Sequence, residues 1–332
     1  MTPSSRYRRY PVRILIVLRL SGKELFLPIT GTVLAIFLLL FTGYGMKKGR
    51  ILKPGDAELL NTIVLYLTLP AFIFEAIYSY RGDLSISIAK VPVFGFATMC
   101  VVMLIAYFVG RALRLDRRIL GGLIIVSAFG NTGFLGYPVV EAAFRDKGAL
   151  VTAVMYDELA MAFPLYTVGL VLATVFSGER ISREYMMKVF KLPSMWAIPL
   201  ALILRPFALP EPIVQAVHYL SNGTIPLVTI SLGLSLSATT LKGYAVPVLA
   251  ACALKLAVLP VVTYYAMHWV GVSGTMHQVT VLESAMPAAM MSGVIASRFG
   301  DCGEYATSAI FAGAVLGIVT IPLTLVILGR IA

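Results

Sequence analysis

Apolar runs of about 20 residues, punctuated by Gly, Pro and charged positions, set the rhythm of this chain. Ten such runs stand out, at about 27–46, 57–78, 91–110, 119–144, 149–176, 187–205, 213–236, 244–269, 277–299 and 305–329. A hydrocarbon layer of about 30 Å takes about 20 helical residues to cross, and within it every backbone N–H and C=O must be paired inside the segment. The pattern therefore predicts an all-α integral membrane protein of ten transmembrane helices.

The prolines show that the second half repeats the first. Leu69-Pro70 matches Ile225-Pro226 at an offset of 156, Val91-Pro92-Val93 matches Val246-Pro247-Val248 at 155, and Phe163-Pro164-Leu165 matches Ile321-Pro322-Leu323 at 158. One match is weak, since proline is common in membrane helices. Three at one near-constant offset, in corresponding spans, predict two repeats, 27–177 and 178–332, behind a basic segment 1–26. An odd number of spans per repeat makes the second copy enter from the opposite face, the inverted topology characteristic of secondary transporters.

Helices four and nine are expected to be broken. Span four reads Ser127-Ala128-Phe129-Gly130-Asn131-Thr132-Gly133-Phe134-Leu135-Gly136-Tyr137-Pro138, too rich in glycine ahead of a proline for a continuous helix. Span nine is interrupted at Ala285-Met286-Pro287-Ala288-Ala289, and Pro287 lies 156 residues after Asn131. Breaks at equivalent depths in antiparallel repeats let the two helices cross. The second half-helices then aim N–H groups, those of Asn131 to Phe134 and of Ala288 to Met290, at the crossing, a field suited to a carboxylate. The first halves bring carbonyl ends suited to a cation. Neither break contains an acid, which favours an anionic substrate held by backbone N–H groups and Asn131, with Gly130, Thr132, Gly133, Pro287, Ala288 and Ala289 around it. Asn131 could otherwise serve helix packing, and Pro287 a plain kink.

Charge inside the apolar runs is rare and costly, about 2.5 to 3.5 kcal/mol for an ionised acid at the centre of a helix. Asp157 and Glu158 lie deep in span five, where helical spacing of about 100° allows only one to face the crossing. Either a coupled proton or sodium ion, or a structural pair of Asp157 with Lys255 in span eight, would offset that cost. Glu283, four residues before Pro287, lines the entry to the site or lies near the outer interface. Glu141 and Arg145 read as a helix-end pair, Glu75 as interfacial, and His218 and His268 lack a metal-ligand partner.

Composition sharpens this picture without altering it. Of 332 residues 59% are hydrophobic and 13% charged, and the mean hydropathy is +0.88, too apolar for a wetted surface. The net charge of +11 sits mainly between apolar runs, which points to lipid head groups and not to nucleic acid. The loops after spans one, three and five each carry four basic residues (Lys47, Lys48, Arg50, Lys53; Arg111, Arg114, Arg117, Arg118; Arg180, Arg183, Lys188, Lys191), against two or fewer after spans two, four, six and eight. Those three loops are then cytoplasmic and both termini outside. Arg6, Arg8, Arg9, Arg13, Arg19 and Lys23 run against that rule; they read as an interfacial segment. Cys100, Cys252 and Cys302 suggest neither a disulfide nor a zinc site. No cofactor is implied, and no Gly-x-Gly-Asp or His-Glu-x-x-His run points to an intramembrane enzyme.

The run Gly130-Asn131-Thr132-Gly133-Phe134-Leu135-Gly136-Tyr137-Pro138 resembles the fourth-helix signature of the auxin efflux carrier family of plants and prokaryotes. Leu69-Pro70, Tyr156-Asp157, Lys255 to Pro260, Met286-Pro287 and Ile321-Pro322-Leu323 fall where the family has similar residues, and the likeness covers about 27–330. The resemblance implies a fold like that of sodium/proton antiporters and bile-acid symporters. Spans one, two, six and seven would form a dimerising scaffold, past which the rest carries the crossover as an elevator. It also implies carboxylate substrates, auxin-like or small dicarboxylates such as malate and malonate, with Asn131 contacting the carboxylate. Plant members have proline where Gly130 stands and a polar residue where Ala288 stands. The short loop after span five favours the prokaryotic, organic-acid branch and a bacterial inner membrane. A sodium- or proton-coupled cation carrier of the same fold, using Asp157 and Glu158, is the competing reading.

Overall fold

The structure, a computed structural model, describes residues 22–331 except 54, 83, 85, 145, 179–186, 188, 236–242 and 298–301. Most of the basic N-terminal segment, and Arg145 of the expected pair with Glu141, thus lie outside the described residues. Regular structure among the described residues is helical apart from one antiparallel bridge, Gly130 with Ala288.

In chain order the helices are α1 (Gly22–Lys48), α2 (Asp56–Ser79), α3 (Ile86–Ala112), α4 (Arg117–Ala128), α5 (Tyr137–Phe144), α6 (Lys147–Ser177), α7 (Pro193–Leu204), α8 (Glu211–Asn222), α9 (Thr224–Ser235), α10 (Ala245–Trp269), α11 (Gly274–Ser284), α12 (Met290–Ser297) and α13 (Cys302–Ile331). Five of them, α2, α3, α6, α10 and α13, are long and apolar enough to cross a membrane. Local chemistry sets several ends. Asp116 caps α4 by accepting from the N–H of Arg118 and Ile119, Asp146 caps α6 through Ala149, and Gly178 ends α6 in the left-handed region at φ +81°.

Two boundaries differ from the apolar pattern. In the run at 187–205 a 3-10 turn at Val189–Lys191 precedes the α-helix, which starts at Pro193, whose fixed φ suits the first turn of α7. The run at 213–236 divides at Gly223 into α8 and α9. There Pro226, three residues into α9, has no N–H with which to continue the ladder from α8.

Four prolines share a further signature. Pro70, Pro138, Pro164 and Pro260 each follow a π-helical turn ending two residues earlier, at Val64–Thr68, Thr132–Gly136, Tyr156–Ala162 and Leu254–Val258. Proline cannot donate to the carbonyl four residues back, and its ring pushes that carbonyl aside. The residue before each proline (Leu69, Tyr137, Phe163, Leu259) instead bonds the carbonyl five back. The turn widens without losing its pairing, a device often found at functional sites.

Helices α1, α2, α7, α8 and α9 pack on one another, while α3, α4, α6, α10 and α13 form a second cluster. Between α1 and α9 the backbones nearly touch. A Cβ at Gly43 would stand 2.2 Å from the Ile230 carbonyl oxygen, and one at Gly233 2.0 Å from that of Leu40. Small residues on both helices permit this approach.

Candidate functional site

The site begins where the two breaks meet. After α4 the chain turns extended at Phe129, and between α11 and α12 it passes through Met286 and Pro287. The Asn131 N–H donates to the Pro287 carbonyl at 2.7 Å, and the Ala289 N–H to the Phe129 carbonyl at 3.0 Å. This corrects one expectation: two of the N–H groups expected to face a ligand join the breaks to each other, because unwound backbone in a buried place must be paired.

The glycines of the fourth-helix motif each seat a buried charge. A Cβ at Gly130 would stand 3.0 Å from Lys255 Nζ, at Gly133 2.9 Å from Asp157 Oδ2, and at Gly136 2.1 Å from Glu283 Oε2. They admit the protein's own ionisable groups where a ligand was expected to approach the backbone.

Lys255 and Asp157 do not pair. Lys255 Nζ donates to the Ser284 carbonyl at 2.5 Å, at the C-terminal, partially negative end of α11. Asp157 faces the start of the turn Thr132–Gly136, where it accepts from the Thr132 hydroxyl, from the Tyr137 hydroxyl at 2.7 Å and from the Gly133 N–H. Each charge answers the helix end nearest to it, so the expected pair is replaced by two separate dipole contacts. Glu158 accepts from the Ser194 hydroxyl of α7 at 3.2 Å. Glu283 is fully buried, and neither of its oxygens has a hydrogen-bond partner among the described residues. It lies neither at the entry nor at an interface, since α11 turns it inward onto Gly136.

Beside the meeting point lies a cavity of about 620 Å³, walled mainly by apolar side chains of α2, α6 and α12. Gly130, Asn131, Gly133 and Ala289 border it; Thr132, Pro287 and Ala288 do not. Thr132 is held by Asp157, Pro287 packs against Gly317, and Ala288 lies behind the bridge with Lys255. Asp157 and Glu158 both reach the cavity wall, because the widened turn holding them departs from α-helical spacing. Glu58 of α2 joins them, and among the described residues no basic side chain does. Asn131, 8% exposed, makes no side-chain hydrogen bond among the described residues.

Sequence reasoning missed Glu58, Tyr137 and Ser194, whose roles depend on contacts between distant spans. It also missed the 2.8 Å hydrogen bond between Glu75 and His218 Nδ1, which joins α2 to α8.

These features define an integral membrane protein with an internal cavity, and the comparisons narrow the class. Residues 28–325 match the family described as "Membrane transport protein". The chain is 33% identical over 307 residues to an uncharacterised transporter of Methanothermobacter thermautotrophicus, covering 92% of this chain and 100% of that one. It is 26% identical to a Rhizobium meliloti protein named "Putative malonate transporter", over 88% of this chain and 93% of that one. It is 23% identical to the uncharacterised transporter YfdV of Escherichia coli, over 88% and 95%. The chain belongs to this membrane transport protein family, the auxin efflux carrier family that its fourth-helix motif resembles.

Proposed function

We propose that the protein is a secondary carrier, not an enzyme, that moves a small organic carboxylate across the membrane by alternating access, with the substrate held where helices four and nine cross. Asn131 carries this reading. Its amide is nearly buried, is free of hydrogen bonds among the described residues, and borders the cavity beside Ala289 and Met290, where α12 begins. A carboxylate there would accept from the Asn131 amide and from the first, otherwise unpaired N–H groups of α12.

The finer architecture belongs to the same proposal: ten spans in two inverted repeats, 27–177 and 178–332, with both termini outside a prokaryotic inner membrane. In support, the hydrogen-bonded Asn131 and Pro287 are separated by 156 residues, the offset of the proline matches. The mutual packing of α1, α2, α7, α8 and α9 supports a scaffold of spans one, two, six and seven, through which two copies would pair. The other spans would move past it as an elevator.

Purified protein in liposomes, offered labelled malonate, malate and indole acetate, tests the reading. Saturable flux of at least one of them is expected; no flux of any, or flux unchanged in Asn131→Ala, contradicts it. A second reading, a sodium- or proton-coupled cation carrier, is favoured by the three cavity carboxylates Glu58, Asp157 and Glu158. It predicts a sodium or pH-driven flux without added carboxylate, abolished in Asp157→Asn/Glu158→Gln.

A further inference from the structure

Of the three charges seated on glycines, one is unanswered. Lys255 is met by the Ser284 carbonyl, and Asp157 by Thr132, Tyr137 and the Gly133 N–H. Glu283 is met by no hydrogen bond among the described residues, although it is fully buried and its carboxylate lies against the backbone of Gly136. The Tyr156 hydroxyl, on the turn Tyr156–Ala162 that packs against α11, is likewise buried with no hydrogen-bond partner among the described residues. Lys255 is the counter-charge nearest in effect, but its Nζ donates to the Ser284 carbonyl, and a buried carboxylate without hydrogen bonds is disfavoured. Such a group, beside a second orphaned oxygen, calls for something that binds both.

We infer that Glu283, with the Tyr156 hydroxyl, is a binding site for a monovalent cation, a proton or a sodium ion, that travels with the substrate. The inference rests on the carrier reading. The valence follows from Glu283 itself: one buried carboxylate without a hydrogen-bonded partner takes one monovalent cation. Position sets the coupling. Glu283 is absent from the cavity wall, whereas Asp157 borders the cavity, sits one motif glycine before it and interacts with it electrostatically. The substrate side of the crossing and the cation side thus share the turn Thr132–Gly136, so filling one biases the other. The cation also offsets the charge of a carboxylate entering a cavity lined by Glu58, Asp157 and Glu158.

The test uses full-length protein in liposomes with labelled malonate as probe. Accumulation is measured under an imposed pH gradient and, separately, an imposed sodium gradient, and gradient-free malonate exchange is measured alongside. With one-to-one coupling and the membrane potential clamped to zero by potassium and valinomycin, a tenfold gradient of the right cation drives about tenfold accumulation in the wild type. In Glu283→Gln the accumulation ratio falls to about one, while gradient-free exchange remains measurable. The gradient that works tells proton from sodium. Should Glu283→Gln not fold, Tyr156→Phe is read in the same assay, with a lowered accumulation ratio expected. Full accumulation by the variants, or exchange by the wild type with no response to either gradient, overturns the inference and leaves the carrier reading standing. No malonate movement in the wild type counts against the carrier reading for that substrate. Melting temperatures with sodium against choline, and across pH, then test Glu283 by itself, and shifts identical in wild type and Glu283→Gln overturn the inference.

Discussion

A methyl group added at Gly136 would collide with the Glu283 carboxylate, 2.1 Å from Oε2, deep in a packed interior. At Gly133 it would press on Asp157 at 2.9 Å, and at Gly130 on the end of the flexible Lys255 chain at 3.0 Å. Alanine substitution should therefore cost most at Gly136, about 1–3 kcal/mol, and least at Gly130. Melting of the three variants in detergent checks the order, and Glu283→Ala in the Gly136→Ala background should recover part of the loss. Equal melting temperatures would contradict the seating. The glycines were legible in the sequence as a break, but not as seats, because Lys255 and Glu283 lie more than a hundred residues away. For the same reason, spacing could not separate Asp157 from Lys255. Asn131 was legible because an amide between helix-breaking glycines has few local duties.

At the scale of elements, the widened turns before Pro70, Pro138, Pro164 and Pro260 place Thr132, Asp157, Glu158 and Lys255. Pro260→Ala restores a donor to the ladder and lets Leu254–Val258 tighten to α-helix, which swings Lys255 off the Ser284 carbonyl. Substrate uptake by this variant should fall while its gel-filtration profile and helical circular dichroism stay those of the wild type. Uptake at the wild-type rate would detach the turn from function. Proline positions were readable from the chain. Whether a helix answers proline by kinking or by widening depends on the packing around it, and so was not. The α1–α9 contact makes a second prediction: Gly43→Val should destabilise the fold by at least about 1 kcal/mol, while Gly45→Val, with nothing within 4 Å of its Cβ, should be silent. Thermal melting separates the two.

Across the whole molecule, hydropathy was enough to read a helical membrane protein, because lipid leaves the backbone few alternatives. The proposed repeat was read from prolines, whose backbone consequences survive when side chains diverge. The acidic character of the cavity was not, since Glu58 comes from a different span from Asp157 and Glu158 and only packing brings them to one wall. That wall makes the central claim demanding. A carboxylate must bind near three acids through amide and N–H dipoles, with Asn131 as its specific side-chain donor. Measuring malonate and malate affinity of purified wild type and Asn131→Ala by titration calorimetry tests this most directly. A hydrogen bond to a charged group is worth about 1.5–3 kcal/mol, so the variant should bind about ten- to a hundredfold more weakly while its melting temperature without ligand stays that of the wild type. Equal affinities in the two proteins would place the carboxylate elsewhere and contradict the account.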